Sequence, residues 1–193
     1  MRVLLVLIGI AILAGCSSQT LQPPKYYVLN GAPAHLSASA LNQVPLTVRS
    51  VILSEYLQSS NIVLQVSDHE LFFSANNLWA EPLQVGIKKA LENNLSAAGN
   101  LQDASFQLDL NVDYFHIIDQ DSVILSGDFS VFDEQGRVTL KDHFALRHPL
   151  NNSGYEYAVS IMSATLKSLS EKIAASINKN AEVLAEHHLN VGS

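Results

Sequence analysis

The sequence predicts an α+β fold: a two-layer sandwich in which a mixed or antiparallel sheet carries two amphipathic helices on one face. Two long segments repeat apolar residues at three- and four-residue steps, the spacing that gathers them on one side of a helix. Three consecutive segments between residues 106 and 146 instead alternate apolar and polar residues, as strands with one buried face do. Short turns separate these three segments, which indicates an antiparallel meander whose apolar face needs the helices as cover.

Composition indicates one globular domain. Of the 193 residues, 48% are hydrophobic and 15% are charged, which is typical of a folded chain with a substantial core. A formal net charge of −7 argues against a nucleic-acid partner, because such binders present a clustered basic face. Cys16 is the single cysteine, so no disulfide can form within a monomer.

The N-terminus predicts a signal peptide over residues 1–15. Arg2 precedes an apolar run at residues 3–13 that is too short to span a bilayer as a finished helix. The letters LAGC that end at Cys16 resemble a bacterial lipobox, which implies diacylglyceryl transfer to the Cys16 thiol, cleavage before it, and acylation of the new N-terminus. The alternative is a plain signal peptide with an incidental cysteine.

The residue after the cysteine bears on the membrane to which a lipoprotein is sorted. Ser17, rather than Asp, follows Cys16. By resemblance to sorted lipoproteins of enterobacterial-type envelopes, this implies a lipid anchor in the outer membrane with the domain facing the periplasm. Residues 16–25 form the lipidated cysteine and a polar tether, and the nine residues after the cysteine reach roughly 30 Å at most.

The domain itself is predicted over residues 26–178. An aromatic and β-branched run at residues 26–29 predicts the first strand. Residues 44–53 predict a strand with apolar residues on both faces, hence a central strand that is covered on both sides. Residues 62–66 and 71–73 flank a polar turn and predict a hairpin.

The stretch at residues 75–99 predicts the first helix, around which the fold is organised. Its apolar stripe consists of Leu83, Ile87, Leu91, Leu95 and Ala98. Pro82 has no N–H to donate and belongs in the first turn, so the helix should start near residues 78–81, where Trp79 stands. Gly99 and Asn100 should end it.

The second half predicts three strands and a helix. The apolar positions of the strands are Phe106, Leu108, Leu110, Val112 and Tyr114; Val123, Leu125, Gly127, Phe129 and Val131; and Val138, Leu140, Phe144 and Leu146. A helix follows at about residues 154–177, capped by Asn152 or Ser153. Its stripe consists of Val159, Met162, Leu166, Leu169, Ile173 and Ile177. Residues 179–193 are polar and are predicted to form a flexible tail.

A search for chemistry finds no catalytic motif, no metal-ligand spacing and no cofactor fingerprint, so we do not expect an enzyme. The seven histidines (35, 69, 116, 143, 148, 187 and 188) share no ligand spacing on one element. Asp109, Asn111 and Asp113 lie on one strand face, where two carboxylates could serve acid–base catalysis. A solvated sheet face is the favoured interpretation of these three residues.

Trp79, the single tryptophan, has two interpretations. It can bury its large ring and fix the start of the helix against the sheet. It can also anchor a partner, since Trp is enriched among interface hot spots. Composition favours the packing interpretation.

The chain contains, in this order, the segments LAGCSS, KYYVL, VRSVILSEYLQSSNIV and ANNLWAEPL. Together these four segments resemble the ABC-type transport auxiliary lipoproteins, and within that family the paraquat-inducible lipoprotein C (PqiC) branch. The similarity covers the lipobox and most of residues 25–178. The pattern N-N-L-W-A-x-P-L is the most specific part. Many relatives carry a basic residue just before the Trp, whereas this chain has Leu78 at that position.

The resemblance implies a non-enzymatic lipoprotein that works with a periplasmic MCE-domain protein (PqiB-like) and, through it, an inner-membrane permease in lipid transport between membranes. It also implies a possible homo-oligomeric ring. Trp79, Pro82 and Leu83 form the family signature, as a partner interface or as packing. Two alternatives are an envelope assembly or scaffolding lipoprotein unrelated to lipid transport, and a periplasmic enzyme.

Overall fold

The computed structural model describes residues 23–29, 46–97 and 106–191, with the backbone alone described at 96–97 and 181–191. The proposed lipidation site Cys16, the sorting residue Ser17 and most of the tether lie outside the described residues. The predicted helix end at Gly99 and Asn100, the side chain of Ala98, and the side chains of His35, His187 and His188 also lie outside them.

The described elements follow the predicted order of strands, helix, three strands and helix. They are β1 (Lys25–Tyr27), β2 (Thr47–Leu53), a 3₁₀ turn (Glu55–Gln58), β3 (Asn61–Ser67), β4 (Glu70–Trp79), α1 (Leu83–Ala97), β5 (Gln107–Ile118), β6 (Ser122–Phe132), β7 (Val138–Pro149) and α2 (Tyr155–Val191).

Seven strands of the described chain form one mixed sheet in the order β1-β4-β3-β5-β6-β7, with β2 also beside β5. The β3–β4 hairpin and the β5–β6–β7 meander are antiparallel. β1 pairs with β4 in parallel. β5 pairs in parallel with β2 along its first half and with β3 at its end. The predicted α+β class, the hairpin and the meander are therefore confirmed.

The core lies between the sheet and the two helices, which also contact each other. The α1 stripe residues Leu83, Ile87, Leu91 and Leu95 are buried. The predicted α2 stripe is buried along its whole length, at Val159, Met162, Leu166, Leu169, Ile173 and Ile177. Both predicted helix faces are confirmed, because local periodicity alone decides which side of a helix is apolar.

The start of α1 differs from the prediction. β4 continues through Trp79, whose N–H donates to the Ser60 carbonyl at 2.7 Å. The helix therefore begins at Leu83 rather than near residues 78–81. Pro82 immediately precedes it, and its carbonyl accepts the N–H of Gly86 at 3.1 Å. Proline disfavours a helical conformation at the residue before it, which explains why the helix cannot begin earlier.

A β-bulge overturns the predicted burial of Tyr114. Alternation holds up to Val112, and the register with β6 then shifts between Val112 and Tyr114. Phe115 consequently occupies the inward face and Tyr114 is 51% exposed. Gly127 pairs with Val112 beside the bulge, where an added Cβ would lie 2.0 Å from the Asn111 carbonyl oxygen. The bulge thus requires glycine at that position.

Two further strand predictions are wrong. β2 is covered on one face alone, because both helices lie on the same side of the sheet, and Ile52 is 61% exposed. Val138 is exposed as well, since the register between β6 and β7 shifts between Val131 and Phe132.

The boundaries of α2 also need correction. Gly154, rather than Asn152 or Ser153, immediately precedes the helix, and its carbonyl accepts the Ala158 N–H at 3.0 Å. The helix continues past Ile177 to Val191, so most of the predicted tail at residues 179–193 is helical. Neither Gly nor Pro interrupts the sequence between Ile177 and Val191, so no residue there breaks the helix.

Candidate functional site

The family signature lies where β1, β4 and α1 meet. Trp79 and Leu83 are buried in the core, whereas Pro82 is exposed. Tyr27 of β1 pairs with Trp79, and its carbonyl accepts the Ala80 N–H at 2.8 Å. The geometry is that of the packing interpretation of Trp79, because its side chain belongs to the buried core and Pro82 alone among the signature residues is exposed.

The strand that follows the predicted tether begins at the same junction. β1 begins at Lys25, opposite Asn77 of β4. The Tyr27 hydroxyl donates to Asn77 Oδ1 at 3.1 Å, and the rings of Tyr27 and Tyr155 lie 6.4 Å apart. Partial burial and the nearby Glu156 carboxylate raise the pKa of Tyr27, so the hydroxyl stays neutral. The start of β1, where the predicted tether ends, therefore lies beside the N-terminus of α2.

An apolar groove opens at this end of the domain, between the β3–β4 hairpin and the start of α2. We call it the tether-end groove. Its volume is about 310 Å³, and its apolar walls are Leu64, Val66, Phe72, Ile117, Leu150 and Tyr155. No charged residue is among its lining residues, all of which the structure describes. A pocket of this kind suits an apolar ligand rather than an ionic one.

A second concavity adjoins the groove. This cleft between β1 and α2 has a volume of about 1200 Å³ and is lined by Lys25 and Tyr26. Ser153, Gly154 and Tyr155 line both concavities. The groove and the start of β1 are therefore parts of one end of the domain.

Sequence reasoning assigned no role to His116, which lies on the sheet face opposite the helices and is 1% exposed. One ring nitrogen lies 3.0 Å from the Tyr56 hydroxyl and the other 3.1 Å from Gln65 Oε1. The rings of Tyr56 and Tyr114 each lie 5.9 Å from the imidazole. Burial lowers the pKa of His116 to about 4, so it is neutral at neutral pH. Its surroundings explain it as a structural histidine.

The polar residues of β5 are paired on the open face of the sheet. Arg49 Nε donates to Asp109 Oδ1 at 2.8 Å, and the Ser50 hydroxyl donates to the same oxygen at 2.8 Å. The hydrogen bond from Arg49 lowers the pKa of Asp109 most strongly. Asn111 Nδ2 donates to Asp128 Oδ2 at 3.0 Å. These contacts stabilise a hydrated sheet surface, as the favoured interpretation had it.

The described residues contain no group of three or more His, Cys, Asp and Glu side chains that could hold a metal ion. No helix within these same ranges has both the length and the apolarity to cross a membrane.

A family model for the ABC-type transport auxiliary lipoprotein component matches residues 27–174. The chain belongs to this family. It is similar to the intermembrane transport lipoprotein PqiC of Escherichia coli K12, with 28% identity over 187 residues that cover 93% of this chain and 99% of the relative. The PqiC protein of Shigella flexneri matches with the same identity and coverage. The family resemblance inferred from the sequence is confirmed, and this auxiliary transport family is not an enzyme family.

Solved structures share the fold. A crystal structure of an uncharacterized protein superposes with a TM-score of 0.67 at 25% identity and covers 81% of this chain and 99% of its own. Protein XCC0632 from Xanthomonas campestris superposes with a TM-score of 0.65 at 12% identity, covering 84% and 99%, which bears on the fold alone.

Proposed function

We propose that this chain is an outer-membrane lipoprotein that faces the periplasm and docks a periplasmic MCE-domain protein to that membrane. It acts as a non-enzymatic auxiliary subunit of an intermembrane lipid transport system, and through the MCE protein it is linked to an inner-membrane permease. The observation that carries the proposal is the similarity, almost end to end, to an intermembrane transport lipoprotein.

The anchor sets the position of the domain. Lipidation at Cys16, with Ser17 directing export to the outer membrane, leaves a tether of roughly 30 Å at most when extended. The tether joins β1 beside the start of α2, so this end of the domain stays close to the membrane surface. A conduit docked on the domain would end near the inner leaflet, where a lipid has a short gap to cross.

The signature residues serve docking by holding this arrangement. Trp79 and Leu83 are buried in the core, and Trp79 pairs with Tyr27 of β1, the strand that follows the tether. Pro82 is the signature residue that a partner can reach. A partner contact at Pro82 would therefore be a surface contact, and replacing Trp79 would weaken docking through the fold rather than at the interface.

Co-purification tests the proposal. The full-length chain and the MCE-domain protein of the same organism are expressed together, the membranes are solubilised, and the complex is captured through a tag on the MCE protein. We expect the mature lipoprotein to be retained. A chain that remains folded in the outer membrane and does not associate would contradict docking and favour an assembly or scaffolding lipoprotein unrelated to lipid transport.

A tether insertion tests the role of distance. A flexible insert of about 20 Gly and Ser residues between Pro24 and Lys25 adds about 25 Å of average reach. We expect impaired lipid transport with unchanged folding and unchanged co-purification. The same insert after Ser193 is the matched control and should leave transport intact. Equal transport by the two insertion variants would show that the short length of the tether has no function.

A further inference from the structure

We propose that the tether-end groove holds one acyl chain of a phospholipid from the membrane to which the protein is anchored. The proposal rests on the lipid anchor of the proposed function, and it assigns to the groove a ligand of its own. It makes the domain a lipid-binding protein as well as a docking protein.

The chemistry of the groove fits an acyl chain. Val66 is 44% exposed and Phe72 is 49% exposed, although both belong to the walls of a concavity. Phe72 is in register with Leu64, so the two side chains form one continuous wall on the helix side of the hairpin. The polar lining residues, such as Gln120 and Asn152, are uncharged. An acyl chain would cover the exposed apolar surface without requiring a counter-charge.

The position of the groove selects the occupant. The groove shares Ser153, Gly154 and Tyr155 with the cleft that Lys25 lines, and Lys25 ends the tether. A tether with a reach of roughly 30 Å at most keeps this end of the domain beside the bilayer. Anchoring raises the effective concentration of neighbouring lipid around the groove. Membrane phospholipid is therefore the apolar ligand that this opening meets most often.

The test uses the mature, lipidated full chain, with its acylation verified by mass. The protein is reconstituted into phosphatidylethanolamine and phosphatidylglycerol vesicles that contain a phosphatidylethanolamine with a photoreactive group at the end of one acyl chain. Cross-linked peptides are mapped after illumination. We expect labelling at the β3–β4 hairpin and the first turns of α2, because a reactive group deep in the bilayer reaches the protein only if the chain enters the groove.

Adjacent phenylalanines provide matched variants. Phe72→Ser removes a groove wall, and Phe73→Ser removes a 40% exposed ring that is in register with Val63 on the opposite face of the same strand pair. We expect Phe72→Ser to reduce groove labelling about five- to tenfold, because the variant loses the apolar area that the acyl chain would bury against the ring. Phe73→Ser should leave the labelling unchanged. Val66→Ser is a second groove variant, and thermal unfolding of all variants checks that they are folded.

Several results would overturn the proposal. Equal loss of labelling in Phe72→Ser and Phe73→Ser would mean that the hairpin merely lies near the bilayer. Labelling confined to surfaces other than the groove would show that the groove does not hold the acyl chain. An unlipidated mature chain would remove this proposal together with the anchor. Failed co-purification with groove labelling intact would remove docking alone.

Discussion

Leu91→Ala tests the helix register on which the core depends. Leu91 is 0% exposed, in the middle of the α1 stripe, and α1 contacts both α2 and β2. A cavity there is enclosed by packed elements and collapses poorly, so we expect a loss of about 3–5 kcal/mol in the free energy of unfolding. For a chain of this size, that corresponds to a fall in Tm of roughly 6–20 °C.

Urea denaturation of the mature chain measures the loss. Val85→Ala is the matched control, because Val85 belongs to the same helix and is 39% exposed. Lys88→Ala on the polar face is a second control, since its ion pair with Glu92 is solvent-exposed. Both controls should stay within about 0.5 kcal/mol of the wild type. Similar midpoints for Leu91→Ala and Val85→Ala would refute the assigned helix register.

Three further predictions follow from single positions. Gly127→Ala places a Cβ 2.0 Å from the Asn111 carbonyl oxygen, so it should cost more than about 3 kcal/mol by denaturation or abolish folding, and a wild-type midpoint would exclude the bulge. The pKa of His116 is lowered from 6.5 to about 4 in the folded state, so between pH 6.5 and pH 4 the unfolded state binds more protons than the folded state. The free energy of unfolding therefore falls as the pH decreases through this range, by at most about 3 kcal/mol. His116→Gln should flatten that slope in denaturation at pH 4–7, and an unchanged slope would contradict it. Cys16→Ser should block lipoprotein processing and Ser17→Asp should move the protein to the inner membrane on a density gradient; unchanged distributions would contradict the anchor and its sorting.

Local periodicity was enough to predict the helices and the meander. The residues that alternate in β6 and those that recur in α2 reveal which side is buried without reference to any other element. The β3–β4 hairpin is also local, since a short polar turn joins its strands. These features form the part of the fold that the sequence predicts well.

Long-range pairing explains the errors. Trp79 belongs to β4 because its N–H reaches Ser60 and its strand pairs with β1, more than fifty residues before it. The bulge at β5 reverses the faces of Tyr114 and His116, and no alternation pattern contains that reversal. The exposure of Ile52 follows from the placement of both helices on one side of the sheet.

The candidate site was predictable in part. The sequence singled out Trp79, Pro82 and Leu83, which the structure places at the junction of β1, β4 and α1, whereas the anchor at Cys16 stays a prediction outside the described residues. The tether-end groove combines residues of β3, β4, β5 and α2 that lie as much as 94 residues apart, from Leu64 to Ala158, and their proximity depends on sheet order. The sequence alone predicts Leu64 and Phe72 as ordinary hairpin residues, because their role as groove walls depends on the positions of β5 and α2.

Recruitment of the MCE-domain protein to the outer membrane tests the proposed docking most directly. Outer-membrane vesicles from cells that produce the wild-type chain or Cys16→Ser are incubated with the soluble periplasmic part of the MCE protein and then sedimented. We expect the MCE protein to co-sediment with wild-type vesicles and to fall to background with Cys16→Ser vesicles, as docking through the anchored chain requires. Equal MCE protein in both pellets would contradict it.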